Sequence, residues 1–155
     1  MSMSTIGVPL EGFGVYCRAA AAEGAVLLKN EGHMFPLKKE EMVSVFGRCQ
    51  FETYRSGTGS GGAVNVPYAV NIYDGMRESG SFTLNEELAD IYRAWLKDHP
   101  FDNGGGGWAA EPWHQKEMVI TEEIAAATAE KSEKAIFIIG RTAGEDKDYA
   151  NEAGS

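Results

Sequence analysis

A chain of 155 residues, 43% apolar and 24% charged, is long enough to fold around one core and short for two domains. Its formal net charge of -9 repels phosphate backbones and anionic lipid, so it argues against a nucleic-acid or membrane partner. A neutral ligand is indifferent to that charge. Cys17 and Cys49 are too few for a disulfide framework and match no zinc spacing, so both are expected as small buried residues. His33, His99 and His114 are too scattered for a metal site, and no cofactor is expected.

Residues 1–14 read as a lead-in without the basic and apolar regions of a signal peptide. No apolar run reaches membrane length, and a cytoplasmic chain with reduced thiols is expected. Val15 to Leu28 predicts a helix, with Val15, Ala19, Ala22 and Val26 on one face and stop signals at Asn30 and Gly32. An apolar turn at Met34 to Leu37 leads to Met42–Gly47, a short β-branched run that predicts a buried strand. Gln50 to Asn65 is a glycine-rich loop. Tyr68 to Glu78 is compatible with a helix, and Ser81 to Leu84 with a weak strand. Asn85 to Lys97 predicts a helix capped by Asn85, with Leu88, Ile91, Trp95 and Leu96 as its apolar stripe. Pro100 to Gln115 is irregular and holds four consecutive glycines, Gly104 to Gly107. Thr121 to Lys131 predicts a further helix, with Thr121 as cap and Glu122 and Glu123 in its first turn. Ala135 to Gly140 is apolar throughout, as a strand covered on both faces should be.

Helices alternating with strands predict an α/β fold, an α/β sandwich with a mainly parallel sheet covered by helices. Two firm strands and one weak one are few for such a sheet, and no helix follows the last strand. The sandwich is therefore expected to be incomplete, with an open sheet edge that another segment or a second copy would pair.

Ligands of parallel α/β sheets bind at the loops leaving the carboxyl ends of strands. The loop after the first strand carries Arg55, Ser56, Thr58 and Ser60 among glycines, a place where backbone and hydroxyls approach a ligand closely. Gly57, Gly59 and Gly62 match GxGxxG, but the match follows its strand by ten residues and opens no helix, as a dinucleotide site would require. The loop after the last strand runs from Gly140 through Arg141, Gly144 and Glu145 to Asp148. Gly140 and Gly144 allow a sharp turn, and Asp146 and Asp148 would raise the pKa of Glu145, as a general acid needs. On spacing alone, solvated acids on a surface loop explain the pattern better. Trp108 and Trp113 beside the glycine tract read either as a sugar-stacking platform or as a small cluster pinning a long loop.

Four landmarks in order carry a resemblance. They are Val26-Leu27-Leu28-Lys29-Asn30 with Phe35-Pro36-Leu37, the strand ending at Gly47, the run Gly57-Thr58-Gly59-Ser60-Gly61, and Arg141 with Gly144, Glu145 and Asp148. In these the chain resembles the α/β sandwich domain of family 3 glycoside hydrolases of the β-glucosidase type. The resemblance covers roughly Val15 to Ser155, so residues 15–155 are expected to be the front part of that domain. It implies a retaining glycosidase in which Glu145 is the acid/base and Ser60 contacts the sugar; the reading of the loops above adds Thr58, Arg55, Trp108 and Trp113 as expected substrate contacts. It also implies that the rest of the sandwich, and a barrel carrying an aspartate nucleophile, come from elsewhere in a parent or companion chain. Without them the chain is expected to be inactive. Two rival expectations are a non-catalytic carbohydrate-binding or assembly module and, on GxGxxG, a nucleotide-binding domain.

Overall fold

The computed structural model describes residues 10–54, 66 and 68–142, and the chain divides between Pro36 and Leu37 into two units. In the first, good helix formers give α1, Phe13–Glu23. It ends at Gly24, whose N–H donates to the Ala20 carbonyl at 3.0 Å, and not at the expected Leu28. Glycine is a poor helix former, and no residue of α1 is buried, so no packing holds the helix open past it. Cys17 on this helix is exposed, contrary to expectation, because α1 offers its thiol no core to enter. Further on, the Asn30 side chain accepts from the Phe35 N–H and donates to the Phe35 carbonyl, both at 2.9 Å, and so closes the apolar turn.

The second unit is built around β1, Met42–Phe46. Every residue from Val43 to Phe46 is buried, so this strand is covered on both faces. α2, Ile72–Ser79, starts where the Asn71 side chain accepts from the Asp74 N–H at 2.7 Å. That cap sets the helix start later than the expected Tyr68. β2 is Thr83–Leu84. α3, Glu86–Asp98, and α4, Glu122–Lys131, begin at the two caps read from the sequence. Asn85 accepts from the Leu88 N–H and Thr121 from the Ile124 N–H, each at 3.3 Å. Lys134–Phe137 forms β3.

The sheet is parallel, in the order β2-β1-β3, with Val43 opposite Leu84 and Phe46 opposite Phe137. The α/β class and the parallel sheet expected from the sequence are therefore what the chain adopts. Val45 and Phe46 point to opposite faces, and each belongs to its own core cluster. Val45 packs with Tyr73, Leu84 and Ala89, and Phe46 with Leu88, Tyr92 and Met118.

One reading of β3 fails. The expected run from Ala135 to Gly140 is apolar throughout, yet burial along β3 alternates, with Phe137 67% exposed and Ile139, just beyond the strand, 85% exposed. Composition speaks for coverage on both faces, but β3 is an edge strand among the described residues and its outward face has no cover there.

Candidate functional site

The chain runs from β1 to β2 on one side, then crosses to β3 on the other. Connections leaving adjacent strands in opposite directions create a crevice beyond their carboxyl ends, and in this order it lies between β1 and β3. Two glycines hold that crevice together. Gly47 leaves β1 with φ 98°, and a Cβ there would overlap the Ile138 carbonyl oxygen. Gly140 leaves β3, and a Cβ on it would overlap Cys49 Sγ. The sequence assigned Gly140 to a sharp turn. Its structural reason is instead this close approach of two chain segments. Burial pushes the Cys49 thiol up, with the Glu117 carboxylate adding to the effect, so it stays a protonated packing group.

Three segments meet at this end of the sheet. The first follows β1 through a short helical turn, Arg48–Gln50, to Tyr54. The second is the irregular stretch between α3 and α4. The third follows β3 as Ile138 to Thr142, with the Ile138 N–H donating to the Phe46 carbonyl at 2.9 Å.

A single buried guanidinium closes the base of the second segment. Arg48 is 1% exposed, and it donates to the His99 carbonyl and the Lys116 carbonyl, each at 2.8 Å. Its charge is met by Glu52, and Trp95 stacks on His99 beside it, with ring centroids 4.1 Å apart. The Arg48 and Met118 N–H groups donate to the Glu117 carboxylate, which fixes the turn that follows Gly47.

Gln115 sits where the three segments join, and it is buried. Its Oε1 accepts from the Asp102 N–H at 2.8 Å. Its Nε2 donates to the Asp102 carbonyl at 2.8 Å and to Tyr54 Oη at 3.1 Å. Burial raises the Tyr54 phenol, which therefore stays neutral, and its ring stands edge-on to Phe101 at 5.3 Å. The Trp113 carbonyl accepts from the Thr142 N–H at 2.9 Å.

Of the residues singled out from sequence, Trp113 is partly buried at this junction, and Trp108 is 59% exposed on the same irregular stretch. Arg55, Thr58, Ser60 and Glu145 lie outside the described residues. The described chain does bring their necks together. Tyr54 immediately precedes Arg55, and Thr142 lies three positions before Glu145. Sequence reading missed Gln115, Tyr54, Arg48 and Glu117. The one available signal was for Arg48, an arginine set directly behind a buried strand, where such a group must find partners.

A cavity of about 490 Å³ opens beside the junction, with an apolar wall that includes Phe46, Met118, Ile120, Phe137 and Ile139 and a polar side that includes His114, Lys116, Glu117 and Arg141. Among the described residues no cluster of three or more His, Cys, Asp or Glu could hold a metal, and no helix is long and apolar enough to cross a membrane.

Comparison with known proteins places these features. Residues 25–153 match the family model described as the glycosyl hydrolase family 3 C-terminal domain. A beta-glucosidase of Ruminococcus albus is 49% identical over 86% of this chain, and beta-glucosidase A of Butyrivibrio fibrisolvens 35% over 83%. The matched regions are 14% and 15% of those proteins, so the chain spans about one-seventh of their length. A solved beta-glucosidase from Paenibacillus barengoltzii superposes with TM-score 0.93 at 65% identity, over 99% of this chain and 16% of that one. Beta-glucosidase 3B from Thermotoga neapolitana, in complex with alpha-D-glucose, gives 0.79 at 32% identity, over 94% of this chain and 20% of that one. The expected family is thus the observed one, and this chain belongs to glycoside hydrolase family 3, within its C-terminal domain.

Proposed function

We propose that this chain is the sugar-site portion of a retaining β-glucosidase and that Glu145 is its acid/base. On this reading residues 1–14 are a lead-in and 15–155 the front part of the sandwich. A longer parent chain, or a companion chain, adds the rest of the sandwich and a barrel with an aspartate nucleophile. The observation that carries the proposal is the junction of the three necks, where the Trp113 carbonyl holds Thr142 just before the loop bearing Glu145. The names of the relatives, all β-glucosidases, support the substrate class.

The mechanism follows from retention. The protonated carboxyl of Glu145 gives its proton to the leaving oxygen while the aspartate attacks the anomeric carbon, and the two carboxyls stand about 5–5.5 Å apart. Glu145 then takes a proton from the water that releases the sugar. Ser60, Thr58 and Arg55 hydrogen-bond the sugar hydroxyls, and Trp108 and Trp113 offer it apolar faces. The exposed Phe137 and Ile139, in the apolar wall of the cavity, receive the remainder of the sandwich. The free thiols of Cys17 and Cys49 suit a reducing compartment such as the cytoplasm.

The test is Glu145→Gln in the longer protein. General acid catalysis is worth about 10²–10⁴-fold, and only a poor leaving group needs it. Hydrolysis of an alkyl β-glucoside should collapse by that factor, and glycosylation by a dinitrophenyl β-glucoside should persist. Near-normal turnover of the alkyl substrate refutes the assignment. The rival reading, a non-catalytic carbohydrate-binding or assembly module, predicts sugar binding by the longer protein with no hydrolysis at all.

A further inference from the structure

We infer that the apolar surface of residues 10–36 seats the barrel of the longer protein, with α1 and the run Val26 to Leu28 as its contacts. The inference rests on the reading of a longer chain that carries a barrel. Among the described residues of this unit none is buried, and only Asn30 is even partly covered. Large hydrophobic side chains nevertheless crowd it. Tyr16 is 72% exposed, Val26 77% and Leu28 92%, and Phe13, Leu27 and Phe35 are exposed as well. Between Phe13 and Leu28 only Arg18 and Glu23 carry charge, in a chain whose net charge is -9. Aromatic and aliphatic surface with few charges marks the core of a protein interface, not a face made for water.

Two further features suit this surface to being covered. An 11-residue helix is marginal in water without packing, so α1 needs a partner to stay formed. The groove lined by Leu27, Asn30, Phe35 and Pro36, about 520 Å³, is held in shape by the two hydrogen bonds between Asn30 and Phe35. A groove shaped in advance loses less conformational freedom on association. The occupant follows from the extent of the matches. The family's C-terminal domain is matched from residue 25, so α1 stands outside it. The Paenibacillus barengoltzii enzyme nonetheless superposes over 99% of this chain, α1 included, and the matched part is 16% of that enzyme. A helix shared with a larger enzyme but outside the matched domain points to the part beyond that domain. The rest of the sandwich has the open edge of β3 to join. On the proposed reading the part beyond is the barrel, whose outer ring of helices offers grooves that α1, with Ala19 to Ala22 in its middle, can approach closely.

The experiment compares hydrogen exchange of α1 in the 155-residue chain and in the longer protein. The helical amides of α1 should exchange at least about 100-fold more slowly in the longer protein. p-Benzoylphenylalanine in place of Arg18, at the rim of the face, should cross-link to the barrel on irradiation. Leu28→Asp should move the Tm of the chain by no more than about 1 °C, because that side chain is already in water, and lower the Tm of the longer protein by several degrees. No loss in the longer protein contradicts the seat. Slow exchange in the chain by itself overturns the inference, since its own residues or a second copy then cover the face; sedimentation tells which. Fast exchange in both proteins overturns it too, as do cross-links confined to the sandwich. If Leu28→Asp does not fold in the longer protein, exchange and cross-linking decide. An open α1 in a longer protein that hydrolyses β-glucosides overturns this inference alone. A covered α1 in a longer protein without hydrolysis overturns the enzymatic reading and leaves the seat standing.

Discussion

Glu41 and Lys134 meet at the end of the sheet opposite the crevice, where Lys134 Nζ lies 2.8 Å from both carboxylate oxygens. The hydrogen bond from Lys134, with a second from the Lys38 N–H, holds the Glu41 carboxyl below its usual value of 4.5. A carboxyl whose pKa is lower in the folded state contributes stability above the unfolded value and loses it as pH falls through the folded one. Wild type should therefore be more stable than Glu41→Gln at neutral pH, with the gap closing once pH drops well below 4.5. Urea melts of both proteins at neutral and acid pH measure it. A gap unchanged in acid would mean that the pair acts by packing alone. At the same scale, Gly47 and Gly140 show why a glycine stands past the end of both firm strands. In each the missing Cβ makes room for the neighbouring segment.

Elements are joined by a polar relay that runs through the middle of the sheet. Ser44 is fully buried on β1, in a run otherwise apolar. Asn85 Nδ2 donates to Ser44 Oγ at 2.9 Å, Ser44 meets Ser132 Oγ at 2.6 Å, and Ser132 reaches the Thr128 carbonyl at 3.3 Å. The amide donor at one end and the carbonyl acceptor at the other fix the direction of every proton between them. The cap of α3 and the end of α4 are thereby pinned to the central strand. Ser44→Ala leaves the Asn85 amide buried without its acceptor, and should cost about 1–3 kcal/mol. Asn85→Ala removes the helix cap as well and should cost at least as much, by about a further 1 kcal/mol. Chemical denaturation of the two variants tests the order, and a smaller loss in Asn85→Ala than in Ser44→Ala would contradict the relay.

For the whole molecule, the exposure of Phe137 and Ile139 and the size of the relatives point the same way. On the proposed reading this chain holds one carboxyl of a pair, and a retaining mechanism needs both. The chain by itself should therefore hydrolyse no aryl β-glucoside above the uncatalysed rate, while the longer protein turns it over. A chromogenic assay on both measures this. Turnover by the chain alone would require a nucleophile within these 155 residues and a different mechanism.

Much of this was legible in the sequence, because it depends on groups close together along the chain. Asn85 and Thr121 cap helices from three residues away, the apolar run at Val43 to Phe46 makes a strand wherever it is placed, and the ordered landmarks identify the family. Where a nearer signal competed, the reading erred, as at Gly24, which ends α1 before Asn30 and Gly32 are reached. Tertiary structure decided what depends on distant partners. Among the described residues it made β1 the central strand and β3 an edge, so that an apolar run became half exposed. It brought Cys49 to Gly140, and Gln115 to both Asp102 and Tyr54. Burial is a property of neighbours, and a glutamine's role is set by which buried groups it must satisfy. Neither exists until packing has chosen the neighbours.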